Sequence, residues 1–449
     1  MRQESWGGTV SRLVRRGPAA DERGQVAETS RHSRYLPVAA IAVIASVAGW
    51  LTTASLQQDF AAYWTAGAAR RLGLSPYVNH VGADPAPALW DGVALFTHSR
   101  FLYPPLVAEL FRPLAAMPYQ AAKAAFTALA VAAWAAASVL AARAAAPGKR
   151  EGSGVALTFA VGALAYPLYL HLERGQVDLF VLVLLLAAFA ARGRPLRAGA
   201  ALLAAAMLKP ALIGLWPVLI ALGRWRAVGA AVAGAAIALL ASAALSGPAL
   251  VRDYVFDVLP RAALYGEGGD ETMLLPASRL QAVAGDLNAG VAHLGGRAYR
   301  QAAWDAPASA SLPRLLAPER PTRVATLGPG LLMLAMLVAA AAPAHRRCLP
   351  EASEALLFWG AAVACVVASP AGWVMGLVWA LPLVPWLGRL RAANAASGVA
   401  RALIVAGLAC ACPPLFAGWA ALAGTALVAA ATALALTLAP RAAAAEVAR

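Results

Sequence analysis

The sequence predicts an all-α polytopic membrane protein with about twelve transmembrane helices and two large extracytoplasmic loops. Three observations carry that expectation. Of the 449 residues, 61% are hydrophobic and only 13% charged, against about 25% charged in a soluble domain; the mean hydropathy is +0.65. The apolar residues gather into runs near the length that crosses a bilayer, roughly 20 residues, or fewer where a helix is broken or buried among others. The basic residues stand in short clusters between those runs. A net charge of +15 is thus distributed as the positive-inside rule requires, and not as a basic groove for nucleic acid.

In chain order the candidate spans are 36–56, 120–143, 154–170, 176–191, 198–208, 210–222, 226–246, 326–342, 354–369, 373–388, 398–412 and 414–438. The pair around Lys209 is short, because Pro210 removes a backbone donor and breaks the helix there. Whether this stretch is one broken helix or two sets the direction of everything downstream. With the N-terminus inside, the inner loops hold Arg143, Lys149, Arg150, Arg192, Arg194, Arg197, Arg224, Arg226, Arg346, Arg347, Arg389 and Arg391, whereas the short outer loop 171–175 holds only Arg174. This bias favours twelve spans with both termini inside. It also requires 104–118 to lie in the outer interface, which Pro104, Pro105, Pro113 and Pro118 permit.

Residues 1–35 carry seven Arg and four acids without a cleavable signal pattern, and read as a disordered cytoplasmic tail. Residues 439–449 form a second cytoplasmic tail. Between them, 36–438 is one transmembrane domain, with extracytoplasmic loops at 57–119 and 247–325 too long to be mere connectors. The abundance of Ala predicts helices packed closely, small residue against small residue. Cys348, Cys365, Cys410 and Cys412 form neither a disulfide framework nor a metal cluster by spacing. Asp270 and Glu271 are the dense acidic pair of the second loop, and no metal site is assigned. No Gly-rich nucleotide loop is present, which disfavours an ATP-driven carrier.

The stretch Gln57–His80 carries the clearest functional signal. Asp59 stands where the first apolar run ends, and a carboxylate beside hydrocarbon is costly without a partner or a task. It reads as a catalytic base, or as the cap of a short interfacial helix. Tyr63, Trp64 and Tyr77 are aromatics of the kind that settle at a membrane interface. Tyr103, with Pro104 and Pro105, would shape a cavity entrance. Lys209 reads as an anion-binding cation beside a broken backbone, or as a snorkelling side chain. Arg174 offers a second cation or an ion pair with Glu173 or Asp178. Gln176 offers a side-chain hydrogen bond to a ligand or a cap for the helix that follows. His171 is a donor to an anion or a structural histidine. Arg279, like Arg261, is a loop cation, and Trp373 is a stacking platform or part of an aromatic belt.

Ordered fragments extend this reading to a family. They are Asp59-Phe60-x-x-Tyr63 with Ala66-Gly67, Gly73-x-x-Pro76-Tyr77, Tyr103-Pro104-Pro105-Leu106 and Pro113-Leu114-Ala115. Gly175-Gln176-Val177-Asp178, Lys209-Pro210, Gly223-Arg224-Trp225-Arg226 and Ser369-Pro370-x-x-Trp373 follow. In order and spacing, over about residues 36–390, the set resembles glycosyltransferase family 87, the polyprenyl-phosphate-mannose-dependent α-mannosyltransferases of the GT-C membrane fold, and in particular the actinobacterial phosphatidylinositol-mannoside mannosyltransferases. The resemblance implies an inverting enzyme of a bacterial plasma membrane with its active site on the extracytoplasmic face, and it puts the family's catalytic Asp on Asp59. The partners it implies are a polyprenyl-phosphate-linked sugar donor, a glycolipid or glycan acceptor and the lipid bilayer, with no nucleic acid and no cofactor.

Two stretches depart from the family's pattern. Where its outer loop reads Asn-Gln-Ser before a Leu and a later Arg, Asp270-Glu271-Thr272 and Arg279 stand here. Where it reads Ser-Trp-Asp-His after Ser-Pro, this chain has Gly372-Trp373-Val374-Met375, so an imidazole that could bind donor phosphate or a sugar hydroxyl is replaced. In the chemistry implied, Asp59 takes the acceptor's hydroxyl proton, helped by partial burial. Lys209, Arg174 and His171 would meet the donor phosphate, and Tyr63, Tyr103, Gln176, Arg279 and Trp373 the sugars. The alternatives are a polyprenyl-phosphate-dependent arabinofuranosyltransferase, and a non-catalytic relative or lipid-glycan transporter. A transporter should show mid-span charges and internal repeats, and neither is evident.

Overall fold

The structure is a computed structural model that describes residues 38–53, 55, 57–78, 101–145, 151–260, 323–345, 351–369, 374–389, 402 and 404–407. It is helical throughout, with no strand among the described residues. Helix α1 (Val38–Thr53) breaks at an elbow into α2 (Gln58–Arg71), and the two axes differ by 60°. After α3 (Pro105–Phe111) come α4 (Tyr119–Ala145), α5 (Glu151–Leu164) and α6 (Tyr166–Arg174), the last two bent by 67°. The core continues through α7 (Asp178–Ala190), α8 (Pro195–Leu208), a 3-10 segment Pro210–Leu215 running into α9 (Trp216–Ala221), and α10 (Trp225–Ser246). Then follow α11 (Pro248–Asp253), a π-helical turn Tyr254–Val258, α12 (Arg323–His345), α13 (Glu351–Ala368), a 3-10 segment Val374–Ala380 and α14 (Leu383–Arg389).

The helices follow most of the predicted apolar runs from 36 to 388. The run 154–170, however, breaks at Ala165 and its second half continues to Arg174, so 171–174 is helix and not loop, and the run 373–388 is a 3-10 segment followed by a short helix. By length and composition, α4 and α10 can cross a membrane alone, and each bent pair, α1–α2 and α5–α6, passes the same test when taken as one span. The remaining apolar helices are shorter, Asp178–Ala190, Pro195–Leu208, Pro210–Ala221, Leu331–Ala342 and Met375–Trp386. The outward faces of α10 and α12 bear Ile237, Leu240, Leu245, Leu331 and Leu332, all exposed. Apolar side chains on the outside of an apolar helix belong in lipid. The expected spans at 398–412 and 414–438, the tails, and residues 261–322 of the second loop lie largely or wholly outside the described residues.

The break at Lys209 is resolved by ion pairs at the far end of the bundle. Arg192, just after α7, bonds to Glu351 and lies 3.5 Å from Glu354 at the start of α13. Arg224, just before α10, reaches the same Glu354 at 2.7 Å. The chain therefore leaves this end after Arg192 and is back by Arg224. A 14-residue α8 travels about 21 Å, so the chain must reverse at Lys209-Pro210. Two short segments run out and back, and not one kinked helix.

Small residues let these segments approach. A Cβ on Gly199 of α8 would stand 2.6 Å from the Ala227 carbonyl oxygen and the Ala230 Cβ of α10. On α5, a Cβ on Gly162 would fall 1.8 Å from the Trp134 ring of α4. On α2, a Cβ on Gly67 would stand 2.7 Å from the backbone of Phe111. The expectation of small-against-small packing is met at the α8–α10 crossing, whereas Gly162 makes room for a tryptophan ring and Gly67 for the backbone of Phe111.

Helix α3 is seven residues long, about 10 Å, far short of a bilayer core. Its Glu109 receives Arg70 Nε at 2.8 Å, Ser246 Oγ at 2.8 Å and Arg112 Nη1 at 3.0 Å, tying α3 to α2 and to the end of α10. Burial opposes the Glu109 charge, but the bonds from Arg70, Ser246 and Arg112 outweigh it and hold its carboxyl below the usual glutamate range.

Two outcomes follow from this packing. Gly199→Leu should lower thermal stability in detergent by about 1–3 kcal/mol, the usual penalty for overpacking, whereas a change at Gly193, which has open space around it, should have little effect. Because the folded pKa of Glu109 is depressed, the stability it contributes is present above its unfolded pKa and lost as pH falls through the folded value. Melting temperature should therefore drop on acidification below about pH 4, and Glu109→Gln should lose stability at neutral pH and flatten that part of the profile.

Candidate functional site

Helix ends build the site. Asp59 lies in the first turn of α2 and Asp178 opens α7, whereas Arg174 closes α6 and Lys209 follows the last residue of α8. Carboxylates are favoured at helix N-termini and cations at C-termini, so both charge signs occupy the ends that suit them. Gly175, at φ 68, ends α6 in the left-handed turn that glycine adopts without strain. That turn puts Arg174 and Gln176 on the same carboxylate.

Arg174 Nε donates to Asp59 Oδ2 at 2.6 Å and Nη2 to Oδ1 at 3.1 Å, a two-pronged pair between buried side chains. Gln176 Nε2 donates to the same Oδ2 at 2.8 Å. The Gln176 amide orientation is dictated, since a carboxylate can only accept and an ammonium can only donate. Its Oε1 accordingly accepts from Lys209 Nζ at 3.2 Å and from Tyr63 OH at 3.0 Å. Tyr103 OH lies 2.8 Å from Tyr63 OH, and because the single Tyr63 proton is directed at Gln176, Tyr103 is the donor. A chain thus runs from Tyr103 through Tyr63 and Gln176 to Asp59. Burial pushes the Tyr103 phenol up, so it remains a donor at neutral pH. Lys209 Nζ also stands 3.3 Å from Asp178 Oδ2. The two opposite charges form an ion pair.

Of the nine residues singled out from the sequence, six enter this network: Asp59, Tyr63, Tyr103, Arg174, Gln176 and Lys209. Gln176 is not the N-cap residue of the next helix, which is Val177, but its Oε1 also accepts the Val177 N–H at 3.4 Å. Asp59 does not act as a cap either, since the residue before α2 is Gln57. The ion pair of Arg174 is with Asp59, which the sequence did not suggest. His171, one turn before Arg174, is fully buried with neither ring nitrogen hydrogen-bonded. Arg279 and Trp373 lie outside the described residues.

Sequence reasoning passed over Asp178 as a member of the site. The signal available was its place three residues after Gly175 at the start of an apolar run, facing the break at Lys209. The segment that carries the Met375 departure also arrives here. Trp379 Nε1 donates to the Asp178 carbonyl at 3.1 Å, and Met375 is buried in the same 3-10 segment, which packs on α6 and α7. Among the described residues there is no cluster of three or more His, Cys, Asp or Glu that could hold a metal.

An aromatic wall closes one side. Tyr63 stacks on Phe111 with ring centroids 4.9 Å apart and meets Tyr103 edge-on at 5.3 Å. Tyr77 donates to the Tyr103 carbonyl at 2.9 Å and stacks on Tyr254 of the π-helical turn. The two long segments expected from the sequence to be loops, 57–119 and the start of 247–325, therefore touch through Tyr77 and Tyr254.

No curated protein and no solved structure matches the chain. The family model for glycosyltransferase family 87 matches residues 101–370, which includes Tyr103, Arg174, Gln176, Asp178 and Lys209 and leaves Asp59 and Tyr63 before its start. That match covers more than half of the chain and agrees with an all-helical bundle whose apolar helices suit a membrane. The protein belongs to glycosyltransferase family 87 and is accordingly a membrane glycosyltransferase.

Proposed function

We propose that this glycosyltransferase moves mannose, or a related sugar, from a polyprenyl-phosphate donor to an extracytoplasmic glycolipid or glycan, with inversion and with Asp59 as the general base. One observation carries the reading. A carboxylate and an ammonium, Asp59 and Lys209, are joined through the single amide of Gln176, which is the pairing that transfer from a sugar phosphate needs. The acceptor O–H gives its proton to Asp59, and its oxygen forms the new bond to C1. The C1–O bond to phosphate breaks, and the phosphate leaves with the electron pair, requiring no proton. General-base assistance is worth typically ~10²–10⁴ in rate.

Lys209 is the cation assigned to the leaving phosphate. Arg174 directs two donors at Asp59, so in this reading it orients the base and adds positive field, and binds phosphate only secondarily. His171 is the remaining donor, since a fully buried imidazole with neither nitrogen bonded is costly without a ligand. Tyr63, Tyr103 and Gln176 present polar groups to the sugars, and Arg279 and Trp373 are kept as substrate contacts on the sequence alone. The Arg192 and Arg224 end of the bundle lies opposite this site. The positive-inside rule then supports an extracytoplasmic site in a bacterial plasma membrane, where lipid-linked donors replace nucleotide sugars.

The test is transfer from radiolabelled polyprenyl-phosphate-mannose into lipid by membranes expressing the wild type or Asp59→Asn at equal protein level. Wild-type transfer that falls by ~10²-fold or more in the variant supports both the enzyme and its base. Equal transfer by the two removes Asp59 from the mechanism. Transfer only from polyprenyl-phosphate-arabinofuranose selects the other donor, and transfer from neither favours the non-catalytic reading. Lys209→Met should raise the donor KM by about 10–100-fold, the worth of one hydrogen bond to a charged group, with Lys209→Arg less affected. An unchanged donor KM in Lys209→Met would assign the phosphate elsewhere.

A further inference from the structure

We propose that Gln57 is a positioning residue for Asp59, acting through the elbow between α1 and α2. The inference rests on the reading of Asp59 as base. Gln57 has φ 51 and ψ 65 and is the sole non-glycine with positive φ among the described residues. Such a backbone costs of order 1–3 kcal/mol and persists where the surroundings over-determine it, characteristically at functional sites. Glycine would take this turn without strain, so the glutamine side chain calls for an explanation.

Its side chain supplies one. Gln57 Nε2 donates to Thr127 Oγ1 of α4 at 2.8 Å and to the Leu172 carbonyl of α6 at 2.9 Å. Its backbone N–H donates to Ser55 Oγ at 3.1 Å, and that hydroxyl donates to the Glu173 carbonyl at 2.7 Å. Lys123, buried on α4, donates to the Ser55 carbonyl at 2.8 Å. The elbow is thus fastened on one side to α4 and on the other to the last turn of α6.

A second left-handed residue faces it. A Cβ on Gly175 would lie 2.5 Å from Phe60 Cβ and 3.1 Å from both Cβ and Oε1 of Gln57. Gln57 precedes Asp59 by two residues, and Gly175 follows Arg174 by one. The interlock of the two turns sets where the halves of the ion pair meet, and misplacing a catalytic group by about 1 Å can cost ~10²-fold in rate.

The test uses the purified full chain with polyprenyl-phosphate-mannose, comparing Gln57→Gly, Gln57→Asn and Thr127→Val with wild type. Gln57→Gly relieves the backbone and removes the amide; Gln57→Asn keeps an amide on a residue that tolerates the turn; Thr127→Val removes one amide partner at constant shape. Turnover per folded molecule should fall about 10–100-fold in Gln57→Gly, less in Thr127→Val, with partial rescue by Asn and an unchanged donor KM. An experimental structure of Gln57→Gly should show Asp59 displaced from Arg174. An Asp59–Arg174 contact that stays in place overturns the proposal even without an assay, and so does wild-type turnover in both variants, whatever their melting temperatures. If Gln57→Gly does not fold, Thr127→Val decides by the same two readouts. A fully active Asp59→Asn would defeat the base assignment while the structural comparison still reports on the elbow.

Discussion

Two ion pairs hold this structure's functional end together, one buried and one with its lysine partly exposed, and each joins the start of one helix to the end of another. Asp59 and Arg174 link α2 to α6; Asp178 and Lys209 link α7 to α8. Removing such charges from water carries a penalty of several kcal/mol per ion, offset only when geometry is good and other lone pairs are satisfied. The first pair meets that condition with two guanidinium bonds and a third from Gln176. Helix dipoles help at all four positions. Breaking either pair from one side would leave a buried charge unmatched, which typically costs about 3–5 kcal/mol. Every loss-of-function variant here therefore has to be read against its folded fraction.

Much of the fold was legible in the sequence because lipid imposes a simple rule. Apolar runs become helices, and the boundaries at 119, 178, 195, 225 and 351 follow proline, glycine or the edge of a run. The charge pattern also identified which residues share an end, as Arg192 and Arg224 on Glu354 bear out. Less legible was the direction of the chain at Lys209. Proline announces a break but not a reversal, and only contacts between residues more than a hundred apart in sequence decide between them.

The site was half legible for a related reason. Asp59, Gln176 and Lys209 stood out because a polar group beside hydrocarbon is anomalous in itself. The partner of each was not readable, because pairing depends on which helix ends are neighbours. Arg174 was matched in sequence to Glu173 and Asp178, its near neighbours along the chain, and the fold carries it to Asp59, 115 residues away. Gln57 carried no signal at all. Its role lies in a backbone angle and in bonds to a distant hydroxyl and a distant carbonyl, and these leave no mark on its own residue type.

Placing charges at the ends of helices in an apolar bundle also requires breaks in the helical backbone, and unpaired backbone groups are not tolerated in a lipid environment. The chain meets this demand locally at each break. At the reversal, Lys209 N–H still bonds to the Ala205 carbonyl, and the Lys209 carbonyl accepts from Leu212. Pro210 stands at the first position after the break, where it has no N–H to leave unpaired. At the α6 end, Gly175 and Gln176 N–H groups share the His171 carbonyl. At the elbow, Ser55 Oγ accepts the Gln57 N–H while Lys123 and Tyr119 reach the carbonyls of Ser55 and Gln57. The residues that make the breaks possible are thus the same ones that aim the charged side chains. A substitution that repaired helical continuity at Pro210 or Gly175 would be expected to unmake the site, even though it improved the helix.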